Sequence, residues 1–376
     1  MKFVKVCALL SSLSLSPPAF SEFKVPDYYK TLKHTASARQ LVSTYPRPQV
    51  VQNLRDFIAC CRPGRLVGTE SHLKAVDFLE NFLKTRGNGK GVEIKRESFV
   101  PDLESAQAKL KADLKALETV PADIQKFADS LTNKLESLKP WVKNHPGINL
   151  VWEKKGTINP EEVLFFGAHY DSIVFDPETR VIDESAQMPG ADNNGSGVVA
   201  LLSMIEVLKE IDLPRTVRVV FFDYHEVGAL GAEAYAKAHK TKLKDLLFIN
   251  AFMLGNDTKR LDTEKREGNF RAYMHPETPE KFQEQIRDLI ERGRQMSAGV
   301  NFELMSTDLK ASDAQGFWRE GLPAVVFTQN REQDFNSERL HTPNDFIETL
   351  NFRTFDGTFR YFTGVAISWA YQFSLK

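Results

Sequence analysis

The chain has 376 residues, 42% hydrophobic and 26% charged, and its 49 Lys and Arg nearly balance 50 Asp and Glu for a net charge of −1. Such a composition excludes a disordered charged tail, a collagen or a coiled-coil rod, and the even balance argues against a nucleic-acid binder, which needs surplus cations. Three Cys are too few for a disulfide scaffold, and past the N-terminus there is no run of about 18 apolar residues to span a membrane.

In chain order, Lys2 and Lys5 precede an apolar run from Val6 to about Leu15, followed by Pro17, Pro18 and the small residues Ala19 and Ser21. This pattern reads as an export signal over residues 1–21, cleaved after Ser21, and places the protein outside the cell or in the periplasm. Residues 22–376 then read as a single α/β domain. Residues 36–86 are helical by their apolar spacing (Leu54, Phe57 and Ile58; Ala75, Phe78, Leu79, Phe82 and Leu83), with a loop at Pro63–Gly68 between two helices. Cys60 and Cys61 are adjacent and form either a vicinal disulfide or two buried thiols; the thiols are the plainer expectation. Val92 to Val100 alternates as a partly exposed strand does.

Residues 102–139 contain no Gly and are rich in Lys, Glu, Ala and Leu. Leu103, Ala106, Leu110, Leu114 and Leu117 share one helical face, and Ile124, Phe127, Leu131, Leu135 and Leu138 share another. Pro121 suits the first turn of the second helix and Pro140 its end. The segment reads as an inserted antiparallel hairpin, there to pack or to contact a protein partner.

From Ile148 onward strands and helices alternate. Strands are expected at Val163–Phe166, Val217–Phe222, Leu247–Phe252 and Ala324–Phe327, and helices at Val198–Lys209, Leu230–His239, Pro279–Met296 and Phe352–Phe373. Uninterrupted apolar strands between helices predict a mainly parallel central sheet with helices on both faces.

Ligands of such sheets bind beyond the carboxyl ends of the strands. His169, Glu226 and Asp192 fall at or near such ends, and His341 lies in a later loop. Zinc takes imidazole nitrogen and carboxylate oxygen and keeps a position for water when catalytic. Asp192, Glu226, His341 and His169 are therefore the candidate metal ligands, and Asp171 a candidate partner that orients His169. Gly195-Ser196-Gly197 follows Asn194, so it is no nucleophile elbow, and no His-Glu-x-x-His run is present.

Gly167-Ala168-His169-Tyr170-Asp171-Ser172, Gly190-Ala191-Asp192-Asn193-Asn194-Gly195-Ser196-Gly197 and His341-Thr342-Pro343-Asn344-Asp345 resemble the secreted zinc aminopeptidases of metallopeptidase family 28, which also holds the glutaminyl cyclases. Arg65-Leu66-Val67-Gly68-Thr69 and the stretch from Ser312-Asp313 to Ala324 are similar to further family segments. The resemblance implies a zinc-peptidase fold, peptide or protein substrates, a metal-bridging role for Asp192, terminal ligation by Glu226 and a substrate-side place for Asp313. The chain departs from the family pattern at three places. His225 stands where the first of two Glu would serve as general base, Phe252 replaces an Asp ligand of a second zinc, and Ala314 replaces a His. The expectation is then one zinc held by Asp192, Glu226 and His341, with His225 as the base. Alternatives left open are a glutaminyl-cyclase-like acyltransferase and a catalytically inactive, zinc-stabilised binding module.

Overall fold

The structure, a computed structural model, describes residues 23–29, 32–258, 270–296, 299–307, 309 and 311–374. The export signal read over residues 1–21 lies outside the described residues.

Three helices lead the chain: α1 (Thr35–Thr44), α2 (Arg47–Ala59) and α3 (Glu70–Thr85). The sequence reading had two here. Pro46 splits the first, since its ring disfavours the helical conformation for Tyr45 before it, which turns extended at a ψ of 123°. Cys60 and Cys61, expected as thiols, are disulfide-bonded to each other at the end of α2. Strand β1 (Val92–Phe99) precedes the hairpin of α4 (Leu103–Lys115) and α5 (Ala122–Trp141). Pro140 does not end α5 but sits inside its last turn, where Val142 N–H still reaches the Leu138 carbonyl.

The remaining strands are β2 (Gly147–Lys154), β3 (Asn159–His169), β4 (Arg215–Phe222), β5 (Phe248–Ala251), β6 (Phe270–Met274), β7 (Phe302–Ser306) and β8 (Ala324–Gln329). They form one sheet in the order β1-β2-β4-β3-β5-β8-β6-β7. Neighbours are parallel through β4, β3, β5 and β8, and β6 with β7. The β1–β2, β2–β4 and β6–β8 pairs are antiparallel. The mainly parallel α/β class is as expected, while β6 and β7, five residues each and interrupted by Arg271 and Glu303, are too short to stand out by pattern.

The pleat sorts the core. Leu164, Phe166 and Ala168 of β3 join a cluster with α6 (Gly197–Leu208) and α10 (Phe352–Tyr371), as do Val217, Val219 and Phe221 of β4. On this face also lies α8 (Glu280–Met296), through Phe282, Ile286 and Leu289. Phe165, Val220 and Phe222 point the other way, toward α7 (Leu230–Leu243) and α9 (Ala314–Arg319). Full burial of a large side chain contributes about 1.5–3 kcal/mol, so these alternating aromatics anchor the strand ends where the candidate residues stand. No helix among the described residues is long and apolar enough to cross a membrane.

The hairpin is rooted rather than free. Leu103, Ala106, Leu131, Leu135 and Leu138 pack with Val67, Tyr224, Val227 and Leu230. Its tip projects outward, with Leu117 44% and Ile124 41% exposed. On its flank, the Phe127 ring lies 4.5 Å from that of Phe175, Ser130 Oγ accepts from Ile182 N–H at 2.8 Å, and Lys134 pairs with Glu184 at 2.6 Å.

Candidate active site at the strand ends

The carboxyl ends of β3 and β4, the start of the segment after β5, the turn at 191–196 before α6 and the loop after β8 converge on one rim. His169 closes β3 and is fully buried. Its ring stacks on His225 with centroids 3.7 Å apart. Phe252, just past β5, lies 5.8 Å from each of these rings. Among the described residues neither ring nitrogen of His169 has a hydrogen-bond partner, though Nδ1 stands 3.5 Å from Asp171 Oδ1.

Asp171 does more than face His169. Its two oxygens accept the backbone N–H groups of His225, at 3.0 Å, and Glu226, at 2.9 Å. It thereby fixes the turn that leaves β4, which passes through Tyr224 at a φ of 55°, a left-handed conformation uncommon outside Gly. Beside it, Asp223 accepts from Ile148 N–H at 3.0 Å and pairs with buried His72 at 2.7 Å.

Two His–carboxylate pairs occupy the rim. Asp313 Oδ1 holds His225 Nδ1 at 2.8 Å, and Asn250 Nδ2 donates to Asp313 Oδ2 at 3.0 Å. Burial alone would lower the His225 pKa, but the charge and hydrogen bond of Asp313 outweigh it and push it up to about 9. Asp313, which burial would raise, is held below its ordinary value by His225. Glu226 Oε2 meets His341 Nε2 at 2.9 Å. Burial acts to raise Glu226, yet His341, with His169 and His225 nearby, draws it down to about 2. His341 sits at a φ of 58°, and its carbonyl accepts the Phe175 N–H at 2.9 Å.

Asp313, expected on the substrate side, is instead fully buried behind His225. It fixes the imidazole and presents no face to a substrate. Asp192 calls for a larger correction. Its Oδ1 accepts from Gly255 N–H at 2.8 Å and from Ser196 Oγ at 3.3 Å. Its Oδ2 accepts from Gln329 Nε2 at 2.6 Å and Asn336 Nδ2 at 2.9 Å. With donors on both oxygens, Asp192 is a structural anchor. Its pKa is raised, burial outweighing those donors.

The side chain that does reach Glu226 from this turn is Asn193, whose Nδ2 donates to Glu226 Oε1 at 2.7 Å. The neighbouring backbone is pinned by Asp345, which accepts Asp192 N–H at 3.0 Å and Asn193 N–H at 2.9 Å. Burial, with the Asp192 charge close by, pushes Asp345 up to about 7. Arg65 ties the rim to the leading helices. It donates to the carbonyls of Tyr170 at 2.7 Å, Pro189 at 2.7 Å and Gly190 at 2.9 Å. Sequence reasoning missed Asn193, Asn250 and the role of Arg65. The first two stood beside singled-out residues, and polar amides there were the available signal.

The donor set does not fit a zinc ion. A catalytic site supplies three protein ligands at about 2.0–2.2 Å. Here Glu226 and His341 pair with each other, Asp192 is engaged elsewhere and Phe252 offers no donor. Among the described residues no group of three or more His, Cys, Asp or Glu is placed to hold a metal ion. The predicted set of Asp192, Glu226 and His341 is therefore not brought together; only its last two members meet.

The model of the family described as peptidase family M28 matches residues 149–365, the stretch that carries all the rim residues except Arg65. Leucine aminopeptidase 1 of Paracoccidioides brasiliensis is 27% identical over 200 residues, 51% of this chain and 48% of the relative. Aminopeptidase YwaD of Bacillus subtilis is 26% identical over 213 residues, 55% of this chain and 41% of that protein. The chain thus spans about half or less of the length of these relatives. Among solved structures, LapA of Legionella pneumophila aligns with a TM-score of 0.61 at 15% identity, covering 91% of this chain and 78% of the other. The zinc aminopeptidase BSAP of Bacillus subtilis aligns at 0.59 and 16% identity over 87% and 95%. The glutaminyl cyclase of Bacteroides thetaiotaomicron aligns at 0.56 and 12% identity over 86% and 98%. At these identities the structural likenesses establish the fold.

Proposed function

Because this chain belongs to peptidase family M28, we propose that it is an exported peptidase of the aminopeptidase kind, working on peptides at the strand-end rim. One observation carries the reading: the matched segment delivers His169, His225, Glu226 and His341 to one place from separate elements. The relatives named as aminopeptidases supply the substrate class.

Zinc supplies the activated water and the carbonyl polarisation in an enzyme that holds it, but the donor set here does not assemble around it. The proton chemistry that the chain itself supplies lies in His225. Asp313 takes the Nδ1 side of the ring, which leaves Nε2 to accept the proton of an attacking water once the ring is neutral, as pH rises toward its pKa of about 9, and to return it to the departing amino group. Asp171 and Asn250 hold this pair in place.

The test is digestion of aminoacyl reporters and short peptides by the chain from residue 22 onward. Release of N-terminal residues, reduced about 10²–10⁴-fold by His225→Ala, supports the reading; a chain that neither cleaves nor binds peptides overturns it. A second reading is favoured by the self-paired rim acids: a peptide-binding module that no longer hydrolyses. Peptide binding without release identifies it, and ammonia loss from Gln-initiated peptides identifies the cyclase chemistry instead.

A further inference from the structure

We infer that this cleft has no resident zinc and that Asn193 is the residue responsible. The inference rests on the same rim as the peptidase reading and deepens it. Glu226 and His341, in contact at 2.9 Å, are two donors of the kind zinc takes. The turn at 191–196 is the element that sets a further oxygen-bearing side chain against Glu226. The carboxylate of that turn, Asp192, faces away into four hydrogen bonds. The side chain that faces Glu226 is the amide of Asn193, buried, with Nδ2 at 2.7 Å from Oε1.

An amide differs from a carboxylate here in two ways. It adds no negative charge, and its NH₂ group donates to Glu226, occupying a lone pair that a cation would need. Asn193 Oδ1 is buried without a partner among the described residues, a neutral oxygen that adds no negative charge beside the pair. The other acids of the rim are already compensated. Asp313 is paired with His225 and Asn250, and Asp171 accepts two backbone N–H groups. Phe252 closes the far side with an apolar ring beside His169 and His225. A divalent cation entering this rim would displace internal partners and find, among the described residues, no group of three His, Cys, Asp or Glu placed to hold it.

The same geometry says what restores a site. Asn193→Asp would set a carboxylate against Glu226 and His341, giving a donor set of two acids and one imidazole. Without a cation the two acids repel, so the variant should lose thermal stability in chelator and regain it in zinc.

The experiment measures zinc content after purification, and melting temperature in zinc chloride and in chelator, for the wild type and Asn193→Asp. The expected wild type has zinc far below stoichiometric and a melting temperature that neither reagent moves. The expected variant gains zinc affinity by at least about 100-fold and melts in a zinc-dependent way. Stoichiometric, stabilising zinc in the wild type overturns the inference, as does an Asn193→Asp protein whose melting ignores zinc. Peptide release in the same preparations separates the two claims. A zinc-free chain that neither cleaves nor binds peptides removes the peptidase reading alone; a zinc-loaded active chain removes this inference alone.

Discussion

Two buried glutamates set the terms of this molecule. Glu206, on α6, takes Arg86 Nε at 2.9 Å on one oxygen. On the other it takes Arg86 Nη2 at 2.9 Å, Asn53 Nδ2 at 3.1 Å and the Tyr45 hydroxyl. The Glu226 carboxylate, at the rim, has only Asn193 and His341 among the described residues. Its surroundings also leave both His169 nitrogens and Asn193 Oδ1 without hydrogen bonds among the described residues. A saturated buried network specifies a fold, whereas unsatisfied buried groups cost free energy and persist where function holds them. The difference separates architecture from chemistry within one core.

The sharpest way to break that contrast is Arg86→Ala. Glu206 would stay buried without its cation, and denaturant unfolding should show a loss of about 3 kcal/mol; a loss as small as that of a surface change would mean the two sites are alike. Next comes Asp313→Asn, which leaves a neutral group behind His225. Peptide release should fall by about 100-fold, measured as kcat/KM on an aminoacyl reporter.

A third probe uses His72. Burial would lower its pKa, but Asp223 outweighs this and raises it. A raised folded-state value means that the stabilisation is fully present below the unfolded value of about 6.5 and is lost as pH rises through the folded value. His72→Asn should therefore cost more at about pH 5.5 than at about pH 9, in denaturant titrations at both. The smallest effect belongs to the hairpin tip. Leu117→Ser and Ile124→Ser should each change stability by less than about 0.5 kcal/mol, and a larger change would show that the exposed tip is structurally engaged.

Much of this architecture was legible in residue order. The apolar runs at 163–166 and 217–222 mark strands because a doubly covered sheet buries both faces, and β3 and β4 enclose them. His169, His225 and Glu226 were legible because strand ends fix where the following residues emerge. Asp192 misled for a reason of local geometry. In the turn 191–196 adjacent side chains leave in opposite directions, so a one-residue difference decides between an anchor in the core and a group in the cleft. Spacing alone does not carry that information. Asp313 misled similarly, since its partners Asn250 and His225 lie far away in sequence. Cys60 and Cys61 show the same limit, because adjacency is compatible with a bond and with its absence.

The flank of the hairpin has a consequence for how the cleft responds. Phe127, Ser130 and Lys134 on α5 grip residues 175, 182 and 184 of one loop. Phe175 of that loop is hydrogen-bonded through its N–H to the carbonyl of His341. The hairpin is thus tied to the backbone of the imidazole that faces Glu226 through this loop, besides its own packing on Tyr224 and Val227. Trimming residues 102–139 to obtain a smaller protein would cut that tether, and the cleft would register the loss before the sheet did.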